Sequence, residues 1–545
     1  MEAGGQGARQ GSGLQYKWIV AMVVIIGVFM AILDSTIVNI AIPRLQSVFG
    51  ADLHSVQWVL TAYILAQGVA TPAAAFLANR LGIKRFYIMS LAAFTLGSAL
   101  CGLAWNLPLL IAFRVLQAVG GAALFPLSLT LIFREFPPQE RGSALGLFGV
   151  PALLAPALGP TLGGYLVTYA DWPIIFYVNV PIGIAAVILA SIFLREMRDE
   201  FRQSFDVVGF IFSTIGLACV LYGLSSASTD GWGSTTVLST LIVGSLALVI
   251  FVVVELVIAN RGGQPLLDLR IFTNASFTIS TIANIFVVFA LFGGLFLLPI
   301  YLQILRGQSA FQAGLLLLPQ ALAAMVSVVV GGRLVDRFGV RAVVIPGLLI
   351  LAVASWQLSY ITADSPYWWL QIAIILRGLA LGLVGQPLIL SALSEIRPQK
   401  LTQASSLSTV VRAVSSSLGV AVLATLVQVQ TKIHYSHLAE QVTASSPLGQ
   451  LLPRLEAFFV ARGADASAAR AAAVQLIIRL VQRQGYVLAI QDAFRITLVF
   501  VAITVIITLF IRVKRPPRRI PAQPLEAPGG EAAPQEETAL ATVES

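Results

Sequence analysis

The sequence predicts an all-α integral membrane protein of about 14 transmembrane helices, with both termini in the cytoplasm. Three observations carry that prediction. Of the 545 residues, 57% are hydrophobic and 11% charged, whereas soluble domains are about one-quarter charged, so lipid must be the main solvent. The apolar residues fall into runs of roughly the 20 that a helix needs to cross about 30 Å of hydrocarbon. Lysines and arginines concentrate in alternate connections, as the positive-inside rule requires.

The runs, in order, are 18–41, 55–78, 86–104, 108–132, 143–168, 174–194, 207–225, 237–259, 277–302, 312–332, 341–360, 367–393, 404–428 and 494–513. The first is longer than a signal-peptide core and contains Asp34 and Asn39 with no small-residue cleavage pattern, so it is expected to remain as the first span. Residues 1–17 form a short cytoplasmic segment, and residues 514–545 a basic and then Pro-, Ala- and Glu-rich tail expected to lie disordered in the cytoplasm. The long connection 429–493 falls outside the membrane. Its stretch from Ala466 to Gln484 has helical periodicity at Val474, Ile477, Leu480 and Val481, which predicts a helix on the outer face or an extension of the last span. A lid, a surface for a periplasmic adaptor and a passive amphipathic cap all remain open for it, the cap being the simplest.

With the N-terminus inside, 22 of the 34 Lys and Arg lie in cytoplasmic segments, and the short outer loops hold only Arg44 and Arg306. The net charge of +9 therefore reflects orientation in the bilayer, and nucleic acid is not an expected partner. Cys101 and Cys219 both fall within spans, and His54, His434 and His437 in outer connections. No metal-ligand cluster, nucleophile–base spacing or phosphate loop is present, so neither an enzyme nor a bound cofactor or metal is expected.

Two basic turns resemble each other. One reads Asn79-Arg80-Leu81-Gly82-Ile83-Lys84-Arg85 and the other Asp336-Arg337-Phe338-Gly339-Val340-Arg341, which suggests two related halves. The pair also resembles the signature loop of the major facilitator superfamily, with Asn79 replacing the usual Asp in the first copy. Over roughly residues 18–513 the chain is similar to the fourteen-span drug:proton antiporters of that family. Leu33-Asp34-Ser35-Thr36-Ile37-Val38-Asn39 matches their first-span motif, and Arg114-Val115-Leu116-Gln117 their fourth-span motif. Gly159-Pro160-Thr161-Leu162-Gly163-Gly164 matches the fifth-span pattern associated with antiporters, and Trp172 to Gly183 a sixth-span motif in which Pro173 stands for Arg.

The resemblance implies the major facilitator fold: six-helix bundles at 18–194 and 277–513, and two additional spans with their linkers at 195–276. It also implies a conformational latch at Asn79, Arg80, Gly82, Lys84, Asp336, Arg337, Gly339 and Arg341, and a monomer as the expected state. A carboxylate within a span is expensive and marks function. Asp34 lies about 13 Å from the outer end of its span and Arg114 about 10 Å, by a rise of 1.5 Å per residue. The two thus sit at similar depth, and because spans 1 and 4 line the central cavity in the family, the resemblance implies that both face one water-filled space and couple proton movement, with a fixed ion pair as the simpler alternative. Asn39, Gln117, Arg377 and Arg412 are the further cavity candidates. Gly159, Pro160, Gly163 and Gly164 are expected to form a tight, bendable gating seam. Glu255, one turn from the end of its span, is expected to reach the interface.

The expected function is export of hydrophobic small molecules, with cations as an allowed form, in exchange for protons across a bacterial inner membrane. A dedicated exporter of one lipid, antibiotic or siderophore would use the same scaffold. A non-transporting receptor would have lost the buried charges.

Overall fold

A computed structural model of the chain describes residues 15–197, 206–443 and 445–511; the basic tail and most of the 1–17 segment lie outside the described residues. With no water in hydrocarbon to satisfy the backbone, each apolar run must close its own hydrogen bonds, and the described residues fold into helices. The first bundle contains α1 (Tyr16–Phe49), α2 (Leu53–Leu81), α3 (Ile83–Gly102), the pair α4 (Leu107–Gly121) and α5 (Leu124–Glu135), α6 (Arg141–Tyr169), and the pair α7 (Ile174–Tyr177) and α8 (Asn179–Phe193). Next come α9 (Val207–Asp230) and α10 (Thr235–Asn260). The second bundle contains α11 (Ala275–Ile300), α12 (Ala310–Phe338), α13 (Val340–Leu358), α14 (Tyr367–Leu393), α15 (Leu401–Glu440), α16 (Pro447–Ala461) and α17 (Ala466–Leu509).

Thirteen stretches among the described residues are long and apolar enough to span a membrane. The 29-residue helix α6 adds a fourteenth crossing, since at 1.5 Å per residue it extends about 43 Å. Side-chain caps start several of these helices where the chain turns at the membrane surface. Asn106 accepts from the Leu109 amide at 2.9 Å ahead of α4, and Ser309 and Gln312 form a reciprocal capping box at α12. The two repeated basic turns are built alike: Gly82 (φ +93°) joins α2 to α3, and Gly339 (φ +88°) joins α12 to α13. Left-handed backbone at both places explains why each turn keeps its glycine.

The hairpin of α9 and α10 packs on α2 and α15 at the periphery. Glu255 of α10 does not reach the interface: it is fully buried, because residues 261–268 fold back beneath it and the Leu267 amide donates to its carboxylate at 3.4 Å. The outer segment is helical throughout much of its length. The 40-residue α15 and the 44-residue α17 continue beyond the bilayer, α16 packs against α17, and α17 runs unbroken into the last span.

The bundles meet at the end that the charge distribution places in the cytoplasm. Helix α6 packs along α12, and α15 along α2 and α5. Asp336 at the end of α12 accepts from the amides of Gly142 (2.8 Å) and Ser143 (2.7 Å), capping the start of α6 in the opposite bundle. Ser405 donates to the Pro126 carbonyl at 3.0 Å and lies 3.3 Å from the Thr130 hydroxyl, and Arg134 donates to the Pro398 carbonyl at 3.2 Å. Glycines allow this approach: a Cβ on Gly146 would lie 2.7 Å from the Val328 carbonyl, and one on Gly332 3.1 Å from Gly146 Cα. Further outward α6 leaves α12 and packs instead on α1 of its own bundle, through Gly159 and Gly163 against Thr36 and Ile37. The protein is closed toward the cytoplasm.

Candidate functional site

Asp34 lies midway along α1, and donors from α4 and α8 converge on it. Arg114 of α4 donates through Nη1 to Asp34 Oδ2 at 2.6 Å, and Gln117, one turn on, donates to Oδ1 at 2.9 Å. Asn179, at the start of α8, donates to the same Oδ1 at 2.8 Å and also touches Ser98 of α3 at 3.1 Å. Arg114 is held in turn by the Gln117 side-chain oxygen (2.7 Å), the Val59 carbonyl (3.3 Å) and the face of Tyr63, 4.0 Å from its ring centre. One guanidinium nitrogen, Nη2, has no partner.

The sequence places Asp34 and Arg114 at similar depth, and the structure brings them into direct contact. It corrects the expectation that they face an aqueous cavity. Asp34, Arg114, Gln117 and Asn179 are all 0% exposed, sealed by the apolar side chains of α1, α4 and α8. Gln117 is therefore part of the carboxylate's cradle and not a cavity residue. Such an arrangement holds charge inside hydrocarbon at low cost only while the pair is intact, since removing one partner of a buried ion pair costs about 3–5 kcal/mol.

Arg377 of α14 is likewise withdrawn from any cavity. It is 1% exposed, donating to the Ser355 hydroxyl (3.1 Å) and to the carbonyls of Ala290 (3.0 Å) and Leu291 (3.3 Å) on α11. A side chain at Gly294 would collide with its guanidinium, so that glycine makes its place. Arg412 differs. It sits on α15 beyond the cytoplasmic seam, is exposed, and borders a narrow crevice with Thr281 and Asn284 of α11 and Ser408 and Ser415 of α15. Asn39 is exposed on α1 and donates to the Ser35 carbonyl at 3.4 Å.

A family model described as the Major Facilitator Superfamily matches residues 24–420. The chain belongs to the major facilitator superfamily. Among relatives of this carrier, the uncharacterized MFS-type transporter YhcA of Bacillus subtilis is 35% identical over 493 residues, covering 90% of this chain and 92% of that protein. The multidrug export protein EmrB of Escherichia coli is 31% identical over 441 residues, covering 80% of this chain and 85% of that one. The human organic anion transporter MFSD10 superposes with a TM-score of 0.58 at 13% identity, covering 90% of this chain and all of that one, which shows a shared fold. The multidrug resistance protein B homolog of Mycobacterium tuberculosis is a further relative, 33% identical over 413 residues.

Within this carrier the eight expected latch positions divide. Asp336 bridges the bundles by way of the α6 amides. The first-copy loop is stitched inside its own bundle: Glu196 accepts from the Lys84 and Arg85 amides at 3.2 and 3.3 Å beside Gly82, and Lys84 Nζ donates to the Ser191 carbonyl at 2.7 Å. Arg80 is exposed, and Arg337 lies over the Phe338 ring at 5.1 Å. Gly339 forms the turn into α13, whose second residue is Arg341.

The expected gate residues also divide. Gly159 and Gly163 pack against α1 within one bundle, next to Asp34, whereas a Cβ on Gly164 would meet nothing within 4 Å. Pro160 lies within α6, its side chain outside the described residues. The glycines at the seam between bundles include Gly142, Gly146, Gly149 and Gly332, which sequence reasoning missed because small residues in apolar helices are common. Asn179 was missed too, although a lone amide in an apolar run is a usable signal.

Proposed function

We propose that this carrier exports hydrophobic small molecules from a bacterial cytoplasm, driven by protons moving inward, with Asp34 as the proton-carrying group. The observation that carries the proposal is the sealed Asp34–Arg114 pair with its Gln117 and Asn179 donors. Asp34 can change charge by taking a proton, while Arg114 cannot give one up. Neutralising Asp34 removes the attraction that holds α1 to α4 and leaves Arg114 uncompensated, which favours a different packing of the bundle.

That is the requirement for coupling: one ligand, the proton, must have different free energies in two arrangements. The α1–α6 glycine contacts lie one turn from Asp34, and the same α6 makes the cytoplasmic seam through Gly142 and Gly146. A change at Asp34 therefore has a rigid path to the seam. Cargo would enter when the cytoplasmic side opens and leave when it closes. Bacterial relatives named for export support the direction and the membrane. Because Asp34 lies behind Arg114 in the closed state, it does not itself present a negative charge to cargo there.

The test is substrate-induced proton release from purified protein in proteoliposomes, compared between the wild type and Asp34→Asn. Proton release and gradient-driven export are expected in the wild type and absent in the variant. Full proton-coupled export by Asp34→Asn would exclude Asp34 as the coupling group.

A further inference from the structure

Of the three arginines within the spans, Arg114 is held by a carboxylate and Arg377 by backbone carbonyls, whereas Arg412 has neither. It stands 11 residues into α15, about 16 Å from the helix start at 1.5 Å per residue, and two turns beyond Ser405, which is buried in the cytoplasmic seam. Its side chain is nonetheless exposed, so its surface opens into the space between the bundles. Among the described residues its guanidinium has no hydrogen-bond acceptor, and its recorded neighbour is the Phe125 ring of the first bundle, 5.8 Å away.

The carboxylates Asp34, Glu255 and Asp336 are engaged elsewhere. Asp34 holds Arg114, Glu255 lies in the peripheral hairpin, and Asp336 caps α6. Around Arg412 the crevice offers further donors: the Asn284 amide, and the Thr281 hydroxyl, which is 95% buried with its oxygen unpartnered. A planar guanidinium flanked by a hydroxyl and an amide matches the geometry of a carboxylate, and charge-assisted hydrogen bonds in a low-dielectric site are the strong ones.

We propose that Arg412, Asn284 and Thr281 form an anion subsite, and that the exported compound carries a carboxylate or similar acidic group on an apolar body. This rests on the exporter reading given above. The apolar body would lie along the bundle interface toward Phe125, and the acidic head at the crevice. Charge bookkeeping then acquires a sign. An anion moving outward and a proton moving inward both carry positive charge inward, so an inside-negative membrane potential drives the exchange along with the pH gradient.

The experiment uses two dyes on one xanthene body, anionic fluorescein and cationic rhodamine 6G, with the full-length protein in nanodiscs and in proteoliposomes. Fluorescence anisotropy is expected to show saturable fluorescein binding. Its Kd should rise at least tenfold in Arg412→Gln and be largely restored in Arg412→Lys, which also controls for misfolding. Rhodamine 6G affinity should not weaken in Arg412→Gln. Equal fluorescein affinity in the wild type and Arg412→Gln, or no saturable fluorescein binding, overturns the subsite. Gradient-driven transport of rhodamine 6G but not fluorescein overturns the anion subsite and leaves export standing. Arg412-dependent fluorescein binding, with movement of both dyes indifferent to the gradient, supports the subsite and overturns proton-driven export.

Discussion

Arg377 repeats in the second bundle the sealed state of Arg114 in the first, but it meets the backbone carbonyls of Ala290 and Leu291 where Arg114 meets the carboxylate of Asp34. The two arginines differ in what a proton can do to them. Carbonyl oxygens cannot take up a proton in place of the arginine, so under the proposed function only the Arg114 contact serves as a switch. The two bundles thus hold their buried arginines by different chemistry, one by a carboxylate and the other by backbone carbonyls.

Asp34→Asn is expected to lower thermal stability as well as stop proton-coupled transport, since an uncompensated buried charge costs as much as about 3–5 kcal/mol. The double variant Asp34→Asn/Arg114→Gln should recover much of the melting temperature and none of the coupling. Recovery of both would mean that the pair only holds helices together.

The α6 glycines should separate by position. Gly159→Val places methyls against Thr36 and overpacks the seam beside Asp34, a change that typically costs about 1–3 kcal/mol; turnover should fall about tenfold with membrane insertion intact. Gly164→Val, where a Cβ meets nothing within 4 Å, should transport at close to the wild-type rate. Transport assays with surface quantification decide between them.

Replacing Asp336 by Asn removes a charged acceptor from the α6 amides. Hydrogen bonds to charged groups contribute about 1.5–3 kcal/mol each, so the cytoplasm-closed population should drop at least tenfold relative to the open one. Spin labels on the cytoplasmic ends of α6 and α12 should report a longer distance in Asp336→Asn than in the wild type. An unchanged distance distribution would show that the glycine seam closes the carrier unaided.

Asp268, in the connection between α10 and α11, receives Lys400 at 2.6 Å and Arg270 at 2.9 Å. Burial pushes its carboxyl up, but hydrogen bonds from Arg270 and Lys400 prevail and hold it below the usual carboxylate value. A lowered folded-state value means that the tie is present above the ordinary pKa of about 3.9 and is lost only as pH falls through the lower folded value. Protease cleavage of the 261–274 connection should therefore stay constant from pH 8 to 5 and rise only in stronger acid. In Asp268→Asn cleavage should be fast across the whole range.

Much of this was legible before any coordinates. Run length and charge give the spans because hydrocarbon permits few solutions, and similar depth puts Asp34 and Arg114 in one layer, although their direct contact was only the alternative to a shared cavity. Side-chain direction was not legible. Gln117 and Arg377 turn inward, and Arg412 into the cavity, because helix rotation is set by packing partners far away in sequence. The seam at Gly142, Gly146 and Gly332 escaped notice for the same reason, since a glycine's contact depends on which helix arrives opposite it. Glu255 was misjudged because the connection that covers it carries no apolar periodicity.

The outer ends of α15 and α17 have a mechanical consequence. At 1.5 Å per residue these helices of 40 and 44 residues extend about 60 and 66 Å, and only about 30 Å is needed to cross hydrocarbon. They are braced together outside by the His434–Asp492 contact at 2.6 Å, and α16 rides on α17. Beyond the spans, residues 429–440 of α15 and 466–493 of α17 therefore form a stiff mast roughly 20 to 40 Å tall on the second bundle. A tilt of ten degrees in the membrane would sweep its tip by roughly 5 Å, turning each turnover into a displacement on the far side of the bilayer.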